Sequence, residues 1–498
     1  MRVVLNFKTP SLMKIQNPIL SLLSCALLAL IPANAIAADH TPDKPNILFI
    51  LLDDLGKEWI SAYGAEDVET PNVDRLAEEG IRFENYYTMP QCTPTRVTLM
   101  TGQYPFRHGW VNHWDVPRWG GGAHFDSNRN PSIARMMQEA GYKTAVAGKW
   151  QVNDFRVQPE VMLDHGFDDY CMWTGYESGN APSSERYWDP YLHTKAGSRT
   201  YEGQFGTDVL SDFLIDFMSQ HRDDPMFLYF AMNLPHTPFR HTPLEPDVEI
   251  KLDKQKAMVR YTDYTLKKLV DAIEALGLRE KTLIIFTTDN GSTQSIIGTR
   301  NGESVKGAKT KTNEAGTAVP FIVSQPGTVP EGLISEALID ITDMLPTFVD
   351  LAGGSLDARY TYDGHSMAEV FHGKSKDGPR EWILSMGGQN RAKLTYGGVE
   401  NAWHFRDRVI RDQRYKLYIS TAREPEMLFD MRDDPWETTN LVDDPAHAKV
   451  VERLFSYIAH HPAADNDPDY KPLGPQLWDV PVTAESQTWK SGQPVEHP

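Results

Sequence analysis

Cysteine is scarce, with three residues in 498, at positions 25, 92 and 171. That excludes a disulfide-built scaffold, which needs several pairs to stand in for a missing core. Basic residues are outnumbered too, 49 Lys and Arg against 68 Asp and Glu, for a net charge of −19 at pH 7. A broad positive field suited to nucleic acid is therefore not expected, and an anionic substrate must be met by a local basic pocket. There are no internal repeats. Gly and Pro, at 35 and 34 residues, stand near their average shares, which excludes collagen-like and low-complexity chains. What is present, 40% hydrophobic and 23% charged residues, is an ordinary globular composition. The length suits one large domain and a smaller one.

Long apolar runs are short of bilayer length. Residues 18–31 (PILSLLSCALLALI) follow Arg2, Lys8 and Lys14 and precede Ala35-Ile36-Ala37, the small-x-small form of a signal-peptidase site. Residues 1–37 are read as a signal peptide, with an uncleaved anchor as the other reading; no stop-transfer pattern follows. Cleavage removes three basic and no acidic residues, taking the charge from −19 to −22, and removes Cys25. The mature protein is expected to be periplasmic or secreted, without stable membrane insertion. Its remaining cysteines, Cys92 and Cys171, either form one bridge or leave Cys92 to chemistry of its own.

Asn46–Leu52 (NILFILL) is a continuous apolar run that stops at Asp53-Asp54. Strands without alternation are buried on both faces, as in a parallel sheet covered by helices. Residues 143–147, 226–231 and 282–288 read the same way, the last stopping at Asp289-Asn290, and 319–323 adds a fifth. Between them lie helical patterns. Thr70 caps one opened by Pro71, with Val73, Leu76 and Ala77 inward and Gly80 ending it. Val209, Leu210, Phe213, Leu214 and Phe217 mark a second. Leu266, Leu269, Val270, Ile273 and Leu276, closed by Gly277, mark a third. Strand–helix alternation predicts an α/β sandwich. In such sheets chemistry gathers at the carboxyl ends of the strands, so the two polar pairs bring four oxygen ligands to one edge, unless each only caps its own turn. A boundary at 374–379 (KSKDGP) divides a catalytic domain, 38–375, from a smaller α+β domain, 376–498. In the smaller one, 381–386, 403–408 and 414–419 read as a short antiparallel sheet, 446–459 as a helix, and the tail from His461 as a surface wrap.

Cys92-Thr93-Pro94-Thr95-Arg96, followed by Leu99-Met100-Thr101-Gly102, resembles the signature of the type I sulfatases, C/S-x-P-x-R before a Thr-Gly. The likeness continues in order with PNILFILLDDLG (45–56), TPNVDRLAEEG (70–80), AGKW (147–150), PHTP (235–238), TTDNG (287–291), KTKTNEAGTAVP (309–320) and LFDMRDDPWETTNL (428–441). The resemblance implies an alkaline-phosphatase-like sandwich with a largely parallel central sheet. It implies that a maturation enzyme oxidises Cys92 to formylglycine, and that Asp53, Asp54, Asp289 and Asn290, with the modified Cys92, hold Ca²⁺ or Mg²⁺. Arg96, Lys149, His236 and Lys309 would bind sulfate. One hydroxyl of the hydrated aldehyde would attack sulfur, the alcohol depart, and the second hydroxyl expel sulfate.

The residue types suit this on their own chemistry. Three carboxylates and an amide oxygen are hard ligands, apt for Ca²⁺ or Mg²⁺ and not for zinc. Arg96, Lys149 and Lys309 can surround the peripheral oxygens of a sulfate, and His236, flanked by prolines, can donate the proton that the leaving oxygen needs. Taken singly, each also has a plainer reading, as a solvated lysine or a loop histidine satisfied by backbone. Two positions depart from the family. Its Lys-Trp-His, whose His is a base, here ends in Gln151, which cannot take up a proton near neutral pH; Asp154, His108 and His113 are candidate substitutes. Its Glu-Gly-Gly-x-Arg-Val-Pro becomes Glu314-Ala315-Gly316-Thr317-Ala318-Val319-Pro320, without the Arg. A long insertion at 155–206 carries Trp173, Tyr176, Tyr187, Trp188 and Tyr191, while Trp110, Trp114 and Trp119 lie near Arg118 and His124. Such aromatics suit sugar stacking and loop packing equally. The expected activity is an exported sulfatase of sulfated polysaccharides or oligosaccharides. A phosphonate monoester or phosphodiester hydrolase on this scaffold and a non-catalytic sulfoglycan-binding protein are the alternatives.

Overall fold

The computed structural model describes residues 44–111, 124–177, 180–387, 392–395, 398–401 and 405–465. The signal-peptide reading, His113, Trp114, Arg118, Trp119 and the tail beyond 465 lie outside the described residues. Among the described residues no helix is long and apolar enough to cross a membrane.

A ten-stranded sheet runs in the order Leu333–Ser335, Ile81–Phe83, Phe321–Ser324, Thr282–Thr288, Asn46–Leu52, Met226–Ala231, Lys143–Lys149, Asp169–Trp173, Tyr191–Thr194, Gly197–Thr200. From Thr282–Thr288 to Asp169–Trp173 the neighbours are parallel; Phe321–Ser324 and Tyr191–Thr194 flank them antiparallel. Every residue of Asn46–Leu52 is buried. Alternation decides which core each enters: Ile47, Phe49 and Leu51 on one face, Leu48, Ile50 and Leu52 on the other. The first face packs on the helices Cys92–Thr101, Ile133–Glu139 and Met344–Leu351, the second on Pro71–Glu78, Gly206–Gln220 and Lys251–Ala275. The result is the expected α/β sandwich, because parallel neighbours need crossovers and crossovers place helices on both faces.

A second, antiparallel sheet joins Ile383–Met386, Arg408–Arg411, Tyr415–Ile419 and Pro425–Asp430. Its Leu384, Ile410, Leu417 and Leu428, with Leu454 of the helix Ala448–Ser456, enter the same core as Phe49 and Phe348. The strand expected at 403–408 forms at Arg408–Arg411, whose four residues are buried. Pro425–Asp430 went unread because only its second half is buried, so it shows no apolar run.

The segment 155–206 is a correction of a different kind. Read as a long insertion, it supplies three strands that complete one side of the large sheet. Trp173 and Tyr187 within it, and Trp110 outside it, are buried, so these three pack and are not stacking platforms. Cys171 sits on one of these strands, buried, and no disulfide joins it to Cys92.

His165 stacks on Phe125, ring centroids 4.7 Å apart, and burial pushes its imidazole down to about 3. The unfolded chain takes a proton near 6.5, the folded one does not. The contribution is therefore present above pH 6.5 and lost as pH falls toward 3. His165→Phe, which keeps the stacking, should flatten the fall of melting temperature between pH 7 and pH 5. The expected change in slope is at most one proton, about 1.4 kcal/mol of unfolding free energy per pH unit.

Candidate active site

Leu52 pairs with Thr288, so Asp53-Asp54 and Asp289-Asn290 leave adjacent strands at the same level. The next strand, Met226–Ala231, runs into the loop bearing His236, and the one beyond it ends on Lys149. Parallel neighbours end at one edge, which is why four consecutive strands converge here. Gly148 permits a close approach: its φ is 113° and a Cβ would stand 1.9 Å from the Ala231 carbonyl.

The helix Cys92–Thr101 is buried along its whole length. Arg96 stands four positions after Cys92, which sets both on one helix face and gives the motif's spacing its physical meaning. Thr95 Oγ1 donates to the Asp289 carbonyl at 2.7 Å, tying helix to strand end. Lys309 follows the hairpin of Ile297–Arg300 and Glu303–Lys306, its N–H donating to the Ser292 carbonyl at 2.9 Å. Asp54, Gln151 and Thr310 hold left-handed φ values of 69°, 71° and 79°. Non-glycine residues accept such strain where the surrounding structure over-determines them, as at functional sites.

Carboxylates and cations meet one to one. Lys149 Nζ donates to the two oxygens of Asp53 at 2.8 and 2.7 Å. Lys309 Nζ lies 2.6 and 2.8 Å from the oxygens of Asp54. Arg96 donates to Asp289 Oδ2 through Nε at 3.1 Å and Nη2 at 2.7 Å. Cys92 Sγ and carboxylate oxygens of Asp53 and Asp289 lie within 4.8 Å of one another, as do ligand atoms of Asp53, Asp54 and His236.

Burial works to raise the Asp53 carboxyl, but His236, Lys149, Arg96 and Lys309 hold it well below the usual range. Asp289 goes the other way, pushed up to about 7 by burial and the charge of Asp53, against Arg96 and Lys149. Burial drives His236 well below its ordinary value; Asp53 opposes this and Lys309, Arg186 and Lys149 reinforce it.

Asn290 donates through Nδ2 to Asp54 Oδ1 at 2.9 Å, while its Oδ1 is buried without a hydrogen-bond partner. An orphaned amide oxygen beside three carboxylates is a hard donor set and fits a divalent cation that prefers oxygen.

Of the substitutes considered for the missing base, His108 and Asp154 are engaged elsewhere, and His113 lies outside the described residues. His108 has Nε2 against Thr98 Oγ1 at 3.1 Å and Nδ1 accepting from the Trp110 N–H at 3.1 Å, and burial pushes it down to about 3. Asp154 is held by Arg156, Nη2 to Oδ2 at 2.6 Å. Gln151 is buried, its Oε1 without a hydrogen-bond partner.

Ala318 stands where the family motif has Arg, and the Glu314 of that motif is paired from elsewhere. Glu314 meets Lys416 Nζ at 3.0 Å and Arg411 Nη1 at 3.8 Å, both from the small sheet, and Lys416 also lies 2.9 Å from Glu437.

Two residues at the site went unread in the sequence. Arg186, inside the supposed insertion, brings Nη2 to 3.0 Å from His236 Nδ1. Tyr229, inside an apolar run, brings its hydroxyl 3.5 Å from Arg96 Nη1. Arg186 carries no local signal. Tyr229 carries only a polar tip in an otherwise apolar strand.

A family model described as Sulfatase matches residues 45–355. The chain belongs to the sulfatase family, whose members hydrolyse sulfuric esters. A second model, N-sulphoglucosamine sulphohydrolase, C-terminal, matches 308–463 of this sulfatase. An arylsulfatase of Hemicentrotus pulcherrimus is 28% identical, covering 84% of this chain and 82% of its own. The N-acetylgalactosamine-6-sulfatase of Homo sapiens is 29% identical, covering 89% of each. The crystal structure of Ps i-CgsB superimposes with a TM-score of 0.72 at 26% identity, over 85% of this chain and 94% of the other. The alkaline-phosphatase-like fold expected from the sequence is the fold of these sulfatases.

Two outcomes follow for this sulfatase. Gly148→Ala should lower stability by about 2 kcal/mol or more in a thermal melt, since strand spacing and φ both exclude a side chain. Added calcium should raise the melting temperature of the wild type and not of Asp289→Ala, whose metal content by elemental mass spectrometry should be nil. A cation must displace the proton that Asp289 holds up to about pH 7, so wild-type affinity should strengthen as pH rises to that value and flatten above it.

Proposed function

We propose that this sulfatase removes sulfate from sulfated carbohydrates by means of a formylglycine made from Cys92, outside the cytoplasm, in the periplasm or after secretion. The observation that carries the reading is the setting of Cys92: buried in the first turn of a helix, beside the Asp53 and Asp289 carboxylates, with Arg96 on the same helix face. A structural thiol has no need of two carboxylates and an arginine, whereas an oxygen nucleophile beside a cation does.

Asp53, Asp54, Asp289 and the Asn290 amide oxygen, with the modified side chain at 92, would hold Ca²⁺ or Mg²⁺. Such an ion, when bound, offsets the clustered negative charge and lowers the pKa of a coordinated hydroxyl. A hydrated formylglycine supplies the nucleophilic oxygen and a second hydroxyl that releases sulfate. The chain's own residues do the rest. Arg96, Lys149 and Lys309 hold the peripheral sulfate oxygens, Arg96 as a planar fork and the lysines as point charges. His236, within reach of Asp53 and Asp54, attends the leaving oxygen. Gln151 cannot act as a base, but its buried Oε1 can accept a hydrogen bond from the modified residue.

A sulfated sugar is supported by the relatives: the human one is an N-acetylgalactosamine-6-sulfatase, and Ps i-CgsB has also been crystallised with k-i-k-neocarrahexaose. Export is supported by the signal-type segment at 1–37.

The peptide containing Cys92, after expression with a formylglycine-generating enzyme, should be lighter than its cysteine form by about 18 Da, sulfur exchanged for oxygen with loss of two hydrogens. Cys92→Ala should lose turnover of sulfate esters altogether. A plain thiol in active enzyme, or activity in the alanine variant, would remove the nucleophile assignment; preference for paired phosphate esters would remove the substrate class.

A further inference from the structure

A cavity of about 670 Å³ lies between the small sheet and the hairpin of Ile297–Arg300 and Glu303–Lys306. Ala318 is in its wall, so the arginine that the family motif carries there would take up part of the space. The backbone of 314–318 stands between this cavity and the strand end bearing Asp289 and Asn290. The Gly291 N–H donates to the Gly316 carbonyl at 3.0 Å, and a Cβ on Gly291 would stand 1.8 Å from the Ala315 carbonyl.

Three cations in the wall lack a close counter-ion. Arg411 is 6% exposed; its Nε has no hydrogen-bond partner, and its Nη1 stands 3.8 Å from Glu314. Lys57, also 6% exposed, donates from Nζ to the Glu84 carbonyl at 2.7 Å, which leaves two of its hydrogens. Arg300 donates from Nε to the Tyr63 carbonyl at 3.0 Å. Among the described residues no carboxylate lies within 4.0 Å of Lys57 or Arg300. Burial and Arg300, with Arg411, pull the Lys57 ammonium down to about 8, against Glu84 and Glu314. The nearby carboxylates are engaged: Glu84 with Arg82, Glu314 and Glu437 with Lys416, and Glu58 with the Ser292 hydroxyl. Buried cations left in this state are costly, and an oxyanion entering the cavity would relieve them.

The rest of the wall selects the kind of anion. Four cations and five carboxylates line the cavity, so a polyanion would be repelled and a single negative charge accommodated. Asn313 Oδ1 is buried without a hydrogen-bond partner and, like the carboxylates, can accept from hydroxyl groups. Trp436 is 43% exposed and lines the same space, with the Arg300 guanidinium 5.9 Å from its ring. An aromatic face among polar acceptors suits a sugar ring, and the volume falls within the range of about 300 to 1,000 Å³ usual for small-ligand pockets.

We propose that this cavity is a second saccharide site, apart from the catalytic cluster, for a sugar bearing one sulfate or carboxylate group. The anion lies against Arg411 and Lys57, the hydroxyls meet Asn313 and the carboxylates, and the ring rests on Trp436. Binding there does not rest on turnover at Cys92.

The test is calorimetric titration of the wild type with D-glucuronate, a sugar carboxylate without a sulfate ester. It should bind with a dissociation constant below about 10 mM, and Trp436→Ala and Arg411→Gln should each weaken it at least about tenfold. Trp436→Ala should leave kcat/KM on 4-nitrophenyl sulfate within about twofold of wild type. Acetate, which has the charge without the ring, and D-glucose, which has the ring without the charge, should each bind at least about tenfold more weakly than glucuronate. No binding, affinity unchanged in both variants, or either simpler probe binding as well as glucuronate overturns the proposal. Should Arg411→Gln not fold, Trp436→Ala decides, since its side chain is half exposed. Galactose 6-sulfate, offered to Cys92→Ala with and without Trp436→Ala, separates the two anions: the sugar that loses more affinity is the one the cavity takes, and loss by neither again overturns the site. If glucuronate binds as expected while no sulfate ester is turned over, it is the functional reading that fails.

Discussion

Three carboxylates and three cations lie gathered inside the protein at one edge of its large sheet, and the surrounding architecture is arranged so that they can stay there. Taking an ion out of water costs several kcal/mol, recovered only when a counter-ion stands at hydrogen-bond distance with its remaining groups satisfied. Lys149 on Asp53, Lys309 on Asp54 and Arg96 on Asp289 meet that condition pair by pair. The partners come from a helix, three strand ends and a long loop. No segment can shift alone without leaving a charge unpaired, which makes the site stiff as a consequence of its charge.

The same constraint explains features far from the chemistry. Gly148 lets two strands approach closely enough for Lys149 to reach Asp53. The small sheet is tied to the loop bearing Lys309 through Glu314: Lys416 bonds Glu314 and Glu437, and the Glu314 N–H donates to Glu437 Oε2 at 2.9 Å. Beneath, Leu417 and Leu428 share a core with Phe49 of the central strand. The small sheet therefore braces one cation of the site as well as burying its own apolar face.

His236 illustrates how much a buried neighbour decides. Placed in water it would titrate near neutrality. Here burial pushes it well below that value; Asp53 opposes the shift and Lys309, Arg186 and Lys149 reinforce it.

The unalternating runs that end in Asp-Asp and Asp-Asn were enough to predict a parallel sheet with oxygen ligands at its carboxyl edge, because a strand buried on both faces can be read from composition alone. The spacing of Cys92 and Arg96 was legible for the same local reason, one helical turn. Strand Pro425–Asp430 was not, being half exposed, and the strands within 155–206 were hidden by their polar and aromatic mixture. The pairing of each carboxylate with one cation, the placement of Arg186 behind His236, and the meeting of Glu314 with Lys416 from a hundred residues away belong to tertiary structure alone. They depend on which side chains a parallel register brings level and which buried ions must find partners, and no local pattern encodes either.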